Sequence, residues 1–111
     1  MGKVSENSIR IKLTKTIKEQ FGIIHWKGIN TDIVDSIDNI QPTLSNDFKY
    51  EGSGEYEFSA HISFMVKEND NASDMHKETY AINPPCKMTI KESEMDFDIE
   101  ILSTIFLQRK F

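Results

Sequence analysis

From Tyr56 to Val66 the chain alternates without a break, with Tyr56, Phe58, Ala60, Ile62, Phe64 and Val66 on one parity and Glu57, Ser59, His61, Ser63 and Met65 on the other. A period of two held this long is the signature of a β-strand with one buried face, because successive side chains leave opposite faces of the pleat. Wound into a helix, the same apolar residues would be spread around the whole circumference. A long half-buried strand needs partners, so a sheet is the first thing this chain has to build. Gly52-Ser53-Gly54 supplies a turn before the strand, and the polar stretch 68–74 supplies a loop after it.

Partners follow directly in the sequence. Residues 77–82 read as a second strand, ended by Asn83-Pro84-Pro85, where two missing amide donors block a continued ladder. Residues 86–91 read as a third. A fourth, 94–107, sets Met95, Phe97, Ile99 and Ile101 against Glu94, Asp96, Asp98 and Glu100, and its parity blurs at Leu102-Ser103, where a bulge or sharp bend is expected. A short loop at Glu92-Ser93 would pair Ile90 with Met95, Met88 with Phe97 and Cys86 with Ile99. The opposite face would then pair Lys91 with Glu94 and Lys87 with Asp98. In that register the acidic ladder is explained by lysine partners.

The N-terminal third is helical in character. Ile9, Leu13, Ile17, Phe21 and Ile24 form a stripe that one helix face would bury. We expect helix over residues 13–21, with Ser8 available as a cap and Gly22 or Gly28 to end it; residues 8–12 suit either helix or strand. Residues 29–44 are also open. Ile29, Ile33, Ile37 and Ile40 keep helical spacing up to Pro42, while Val34, Ile40 and Leu44 share one parity as a strand would require.

The expected fold is α+β: a single domain, 1–111, in which an N-terminal helix packs on a curled antiparallel sheet of three to five strands. Cystatin-like and NTF2-like folds have this layout. The likeness is one of layout, since no family motif is present.

Charge narrows the partners. The net charge is −5, but residues 1–29 hold six Lys/Arg against two acids, whereas residues 30–111 hold seven against sixteen. An acidic body repels phosphate backbones, so nucleic acid is not an expected partner. The basic N-terminal segment is suited to pack on, or bind, an acidic surface. No apolar run approaches the length of a membrane span, and residues 1–7 carry no secretory signal pattern. A lone cysteine, Cys86, allows no internal disulfide. A cytoplasmic protein is expected, and the glycosylation-like triplet Asn71-Ala72-Ser73 carries no weight in that setting.

The sequence holds few chemical groups in working patterns. His25, His61 and His76 have no metal-ligand spacing, and Cys86 falls on the apolar side of its strand, where a thiol is inert. No metal or cofactor is therefore expected. Glu68, Asp70, Asp74 and Glu78 could collect Ca²⁺, but they lack the glycine and terminal glutamate of a calcium loop. Asp96 and Asp98 have the spacing of paired carboxylates, yet the hairpin already supplies lysine partners. Phosphate-binding and nucleophile-elbow glycine patterns are missing, and Tyr50, Tyr56 and Phe58 are interleaved with Glu51, Glu55 and Glu57 rather than with cations.

The best remaining candidate is the polar side of the long strand, where His61 lies between Ser59 and Ser63 with Glu57 nearby. Glu57, Ser59 and His61 are its expected binding residues. By elimination the expected function is a non-enzymatic interaction module, of the accessory, inhibitory or immunity type, acting through a sheet face, a sheet edge or the basic N-terminal segment. Its partner would be a protein or a second copy of the chain. Two alternatives come from other classes: a small enzyme using His61 as general acid or base, and a carrier of a small apolar ligand between helix and sheet.

Overall fold

The computed structural model of the chain describes residues 4–68 and 71–110, with the backbone alone for residues 71–73. Helix α1 (Glu6–Glu19) starts earlier than expected because its cap is Ser5. The Ser5 Oγ accepts from the Ser8 N–H at 3.1 Å, and the Ser8 Oγ accepts from the Ser5 N–H at 2.7 Å. Residues 9–12 are thus helical: Ile9, Leu13 and Ile17 are fully buried, whereas Ile11, which alternation would have buried with them, is 63 % exposed. Gln20, rather than Gly22 or Gly28, closes the helix. Gly28 has a different task. At φ +93°, a Cβ there would lie 2.1 Å from the Leu107 carbonyl oxygen, so only glycine allows the backbone this close.

The strands are β1 (Trp26–Lys27), β2 (Val34–Thr43), β3 (Gly54–Glu68), β4 (Asn71–Ile82), β5 (Cys86–Glu92), β6 (Phe97–Ile101) and β7 (Ile105–Lys110), with a 3₁₀ turn at Thr31–Ile33. They form one open, mostly antiparallel sheet in the order β1-β7-β4-β3-β5-β6, with β2 also on β3; only β1 and β7 run parallel. Seven strands among the described residues exceed the three to five expected, because the run 94–107 divides into β6 and β7, residues 29–44 supply β2, and the two-residue β1 is added beside β7. Asn83-Pro84-Pro85 separates β4 from β5, both antiparallel to β3, and residues 102–104 separate β6 from β7. One register continues across both cuts, with Met88 opposite Ile101 and Ile82 opposite Leu107. The irregularity expected at Leu102-Ser103 falls there.

Residues 29–44 resolve as turn and strand. β2 carries register shifts between Val34 and Ser36 and between Ile37 and Asn39. Each bulge adds one residue to the usual two, so Val34, Ile37 and Ile40, three apart, all face Val66, Phe64 and Ile62 of β3. Two bulges thereby counterfeit helical spacing. Pro42 sits within β2, which has a partner on one side only and tolerates the missing donor.

The β5–β6 hairpin corrects the expected register by four residues. Its turn is Ser93 to Asp96, closed by Ser93 N–H to the Asp96 carbonyl at 2.8 Å, so Ile90 faces Ile99, Met88 faces Ile101 and Lys91 faces Asp98. Met95 lies in the turn and is 88 % exposed. Lys87 therefore does not face Asp98, nor Lys91 Glu94. The shift is even, so the residues that remain paired in the strands keep their faces although they change partners, and only the residues taken into the turn, Met95 among them, leave the ladder. The loop expected over residues 68–74 is shorter than it looked, since β3 runs to Glu68 and β4 begins at Asn71.

Between helix and sheet the core is filled by Ile9, Leu13, Ile17, Ile62, Phe64 and Met88, all fully buried. Lys12 of the helix reaches Asp96 at 3.3 Å and lies over the Phe97 ring, 5.3 Å from its centroid. The basic helix thus spends part of its charge on the acidic end of the same molecule. No helix among the described residues is long and apolar enough to cross a membrane.

Candidate functional site

Strand β3 brings Glu57, Ser59 and His61 onto the sheet face turned away from the helix, yet it does not gather them at one site. His61 lies in a flat row with Gln41 of β2 and Ala81 of β4. The ammonium of Lys110 lies 3.5 Å from its Nε2. The Ser59 hydroxyl donates to the Ile82 carbonyl at 2.7 Å, and Ser63 shares a 2.9 Å bond with Thr79. Both serines serve the sheet.

Glu57 and Ser59 do meet a concave surface. A small groove of about 130 Å³ is lined by Thr43, Leu44, Ser45, Glu57, Ser59 and Pro85, among others. A larger one of about 300 Å³ adjoins it through Ser45 and Glu57, lined also by Phe48, Lys49, Glu55, Tyr56 and Lys87. His61 lines neither.

The groove exists because β2 leaves β3 early. β2 pairs with β3 from Val66 down to Ser59, opposite Thr43, while residues 54–58 pair only with β5 on the other side. Beyond Thr43 the chain anchors through Leu44, 6 % exposed, and turns at Ser45, whose carbonyl accepts from the Phe48 N–H at 3.0 Å. Aromatic rings then brace it: Phe48 lies 5.5 Å from Tyr56, and Tyr50 stacks on Tyr56 at 5.6 Å. The Tyr56 hydroxyl accepts from the Glu51 N–H at 2.9 Å and donates to the Gly52 carbonyl at 2.5 Å.

Tyr50 and Ser53 fasten this loop to β5. The Tyr50 hydroxyl donates to the Glu92 carboxylate, and the Ser53 Oγ accepts from the Glu92 N–H at 2.9 Å. Burial and that carboxylate push the Tyr50 phenol up to about 12, so it stays a donor throughout the neutral range. The wall of the groove is therefore built rather than loose. Along it Lys49, Glu55, Glu57 and Lys87 form no ion pair with a described residue, although Glu57 and Lys87 stand opposite each other on β3 and β5.

No protein-family model, curated protein or solved structure matches this chain. The reading of the site rests on its geometry.

The most strongly bonded polar cluster lies elsewhere and was missed as a unit in the sequence. Glu78, with its side chain 9 % exposed, accepts from the Tyr80 hydroxyl at 2.6 Å and from Arg109 at 3.3 Å, and shares a 2.7 Å contact with His76 Nε2. The Tyr80 bond, with His76 and Arg109, outweighs burial and holds this carboxyl below its ordinary range. Tyr80, desolvated and bonded to a carboxylate, is pushed up to about 12. His76 and Glu78 come from β4 and Arg109 from β7, so the cluster ties strands together. The i, i+2, i+4 spacing of His76, Glu78 and Tyr80 is its only trace in the sequence.

The other expected groups separate. Asp70 lies outside the described residues, Asp74 is exposed on β4 and Glu78 is committed to Tyr80, His76 and Arg109, so these acids are not gathered into one site among the described residues. Among those residues no three His, Cys, Asp or Glu side chains gather as metal ligands. Asp96 is not paired with Asp98; it sits in the turn, where the Phe97 N–H and then Lys12 hold its carboxyl below the ordinary range. Cys86 is 2 % exposed, and burial pushes its thiol up. His25 is exposed, and its carbonyl accepts from the Ile105 N–H at 2.9 Å, helping to join β1 to β7.

Proposed function

We propose that this protein is a non-catalytic interaction module that binds a protein partner at the edge of its sheet, in the groove beside residues 54–58 of β3. The observation that carries this reading is the groove itself: a braced aromatic wall, Phe48 and Tyr56, rimmed by four charges that form no ion pair with a described residue. Aromatic anchors ringed by polar groups are what protein interfaces use, since the rings supply contact area at little entropic cost and the charges select the partner. Of the three surfaces expected from sequence, the edge is preferred over the flat face at His61 and over the basic helix, whose Lys12 is already engaged with Asp96. Acid–base work at His61 is the weaker reading, because among the described residues Lys110 alone makes a polar contact with its ring and no groove described above reaches it.

The test is a phage-displayed library of random ten-residue peptides, panned against the wild type and counter-selected against a Phe48→Ala/Glu55→Lys double variant that is first shown to be folded. Peptides that bind the wild type and lose at least tenfold in affinity on the double variant are the expected outcome. Peptides that bind both proteins equally, or a library that yields none, would place the partner surface elsewhere.

A further inference from the structure

We infer that the groove is a strand-addition site, in which an extended segment of a partner protein lies along residues 54–58 of β3 in the lane that β2 vacates at Thr43. This rests on the groove being the partner-binding surface, and adds what binds there and how.

Backbone accounting supplies the argument. Every non-proline residue carries one N–H and one C=O, and in a strand these point alternately to the two sides. From His61 to Val66, β3 has β2 on one side and β4 on the other, and Ser59 and Ala60 have β2 alone. From Gly54 to Phe58 it has β5 on one side only. On the other side, the backbone bonds of residues 44–53 close within that segment, as Phe48 to Ser45 does, or end on the Tyr56 hydroxyl. Among the described residues none joins that segment to the backbone of residues 54–58. The lane is about 17 Å long at strand rise, enough for a segment of five residues.

Of the sheet's other open edges, β2 carries two bulges and Pro42; β6 presents Asp98 and Glu100; β1 covers the start of β7; and the stretch of β4 before Thr79, unpaired on the side of β7, adjoins no groove described above. Residues 54–58 have neither bulge nor proline. The lane lies beside the groove instead of open solvent, so an incoming strand finds side-chain contacts as well as backbone partners.

Side-chain alternation then fixes the chemistry of the occupant. Residues on the side of Tyr56 and Phe58 meet aromatic surface and are apolar. Those on the other side meet Glu55 and Glu57. Glu57 has Lys87 opposite it on β5, but Glu55 faces the uncharged Thr89, so the occupant carries Lys or Arg beside Glu55. The partner is thus an extended segment that alternates apolar and basic residues.

The experiment is amide hydrogen exchange on the wild-type protein, free and saturated with a panned peptide, together with N-methylation of that peptide one residue at a time. Strand addition predicts that the lane-facing amides of residues 54–58 exchange rapidly in the free protein and slow at least tenfold in the complex. It further predicts that N-methyl groups weaken binding at least tenfold at alternate positions only. A peptide that depends on Phe48 and Glu55 yet leaves residues 54–58 unprotected and tolerates N-methylation throughout would overturn strand addition and leave the groove as the partner surface. Peptides indifferent to Phe48 and Glu55, or none selected, would overturn both.

Discussion

The two halves of β3 come from one unbroken alternation but end in different company. Residues 59–66 have β2 on one side, β4 over most of the other and a flat polar outer face with His61 at its centre. Residues 54–58 have β5 on one side and a groove on the other. The sequence period dictates which side chains are buried in both halves equally, and is silent about which backbone edge is left open. That depends on where the neighbouring strand turns away, here at Thr43 and Leu44. A polar histidine in the closed half is thereby a spectator, while ordinary glutamates in the open half become candidates for binding.

The comparison is broken most forcefully in the closed half. Phe64 is fully buried, and its ring meets those of Phe21, Trp26 and Tyr80 at 6.0, 6.2 and 5.8 Å. Phe64→Ala should lower stability by about 3–5 kcal/mol in urea unfolding, a large part of what such a domain has. Phe58→Ala in the open half should cost less. Equal losses would mean that the open edge does not weaken its half.

Glu78→Ala comes next, at about 1–3 kcal/mol, because buried Tyr80 loses its acceptor while Arg109 and His76 can turn to water. The carboxyl is held below its unfolded value, so its contribution is complete above the ordinary carboxylate range and is lost as pH falls through the lowered folded value. Between about pH 5 and pH 3 the variant should therefore lose less stability than the wild type in urea midpoints. Parallel losses would show that the carboxylate is not the favoured form in the folded state.

How much of this was legible from residues alone follows the same division. Faces were readable wherever alternation was regular: Phe58, Ile62, Phe64, Met88, Ile90 and Ile99 are buried as their parity demands. Edges, registers and bulges were not, because they depend on turns. Two bulges make β2 resemble a helix, and a four-residue turn moves the β5–β6 register by an even step, which leaves the paired residues on their faces and Met95 exposed in the turn. In the candidate site, Glu57 and Ser59 were legible as polar strand positions, but Phe48, Lys49 and Lys87 were not, since only the departure of residues 44–50 brings them together. The chemistry of His61 marks it in the sequence, but side-chain chemistry carries no information about concavity.

The corrected register sharpens the picture at a smaller scale. A Lys91/Asp98 charge-reversal cycle should show coupling of about 0.2–1 kcal/mol, and the Lys87/Asp98 cycle essentially none, since Lys91 and not Lys87 stands opposite Asp98. The reverse result in urea melts would restore the shorter turn and undo the placement of Met95.

The smallest effect belongs to the residue that drew most attention in the sequence. His61 is exposed on the flat, closed half, its ring in polar contact with the Lys110 ammonium at 3.5 Å and with no other described residue, and it lines neither part of the groove. An exposed strand position of this kind contributes within about ±0.5 kcal/mol. His61→Ala should therefore leave the urea midpoint nearly unchanged and bind groove-selected peptides with wild-type affinity. Glu55→Lys, four residues from Ser59 on the same outward parity, should fold as well yet lose at least tenfold in the same titration. A His61→Ala protein that folds normally but loses binding would move the partner onto the closed face, where it would have to recognise side chains alone because the backbone there is already paired on both sides.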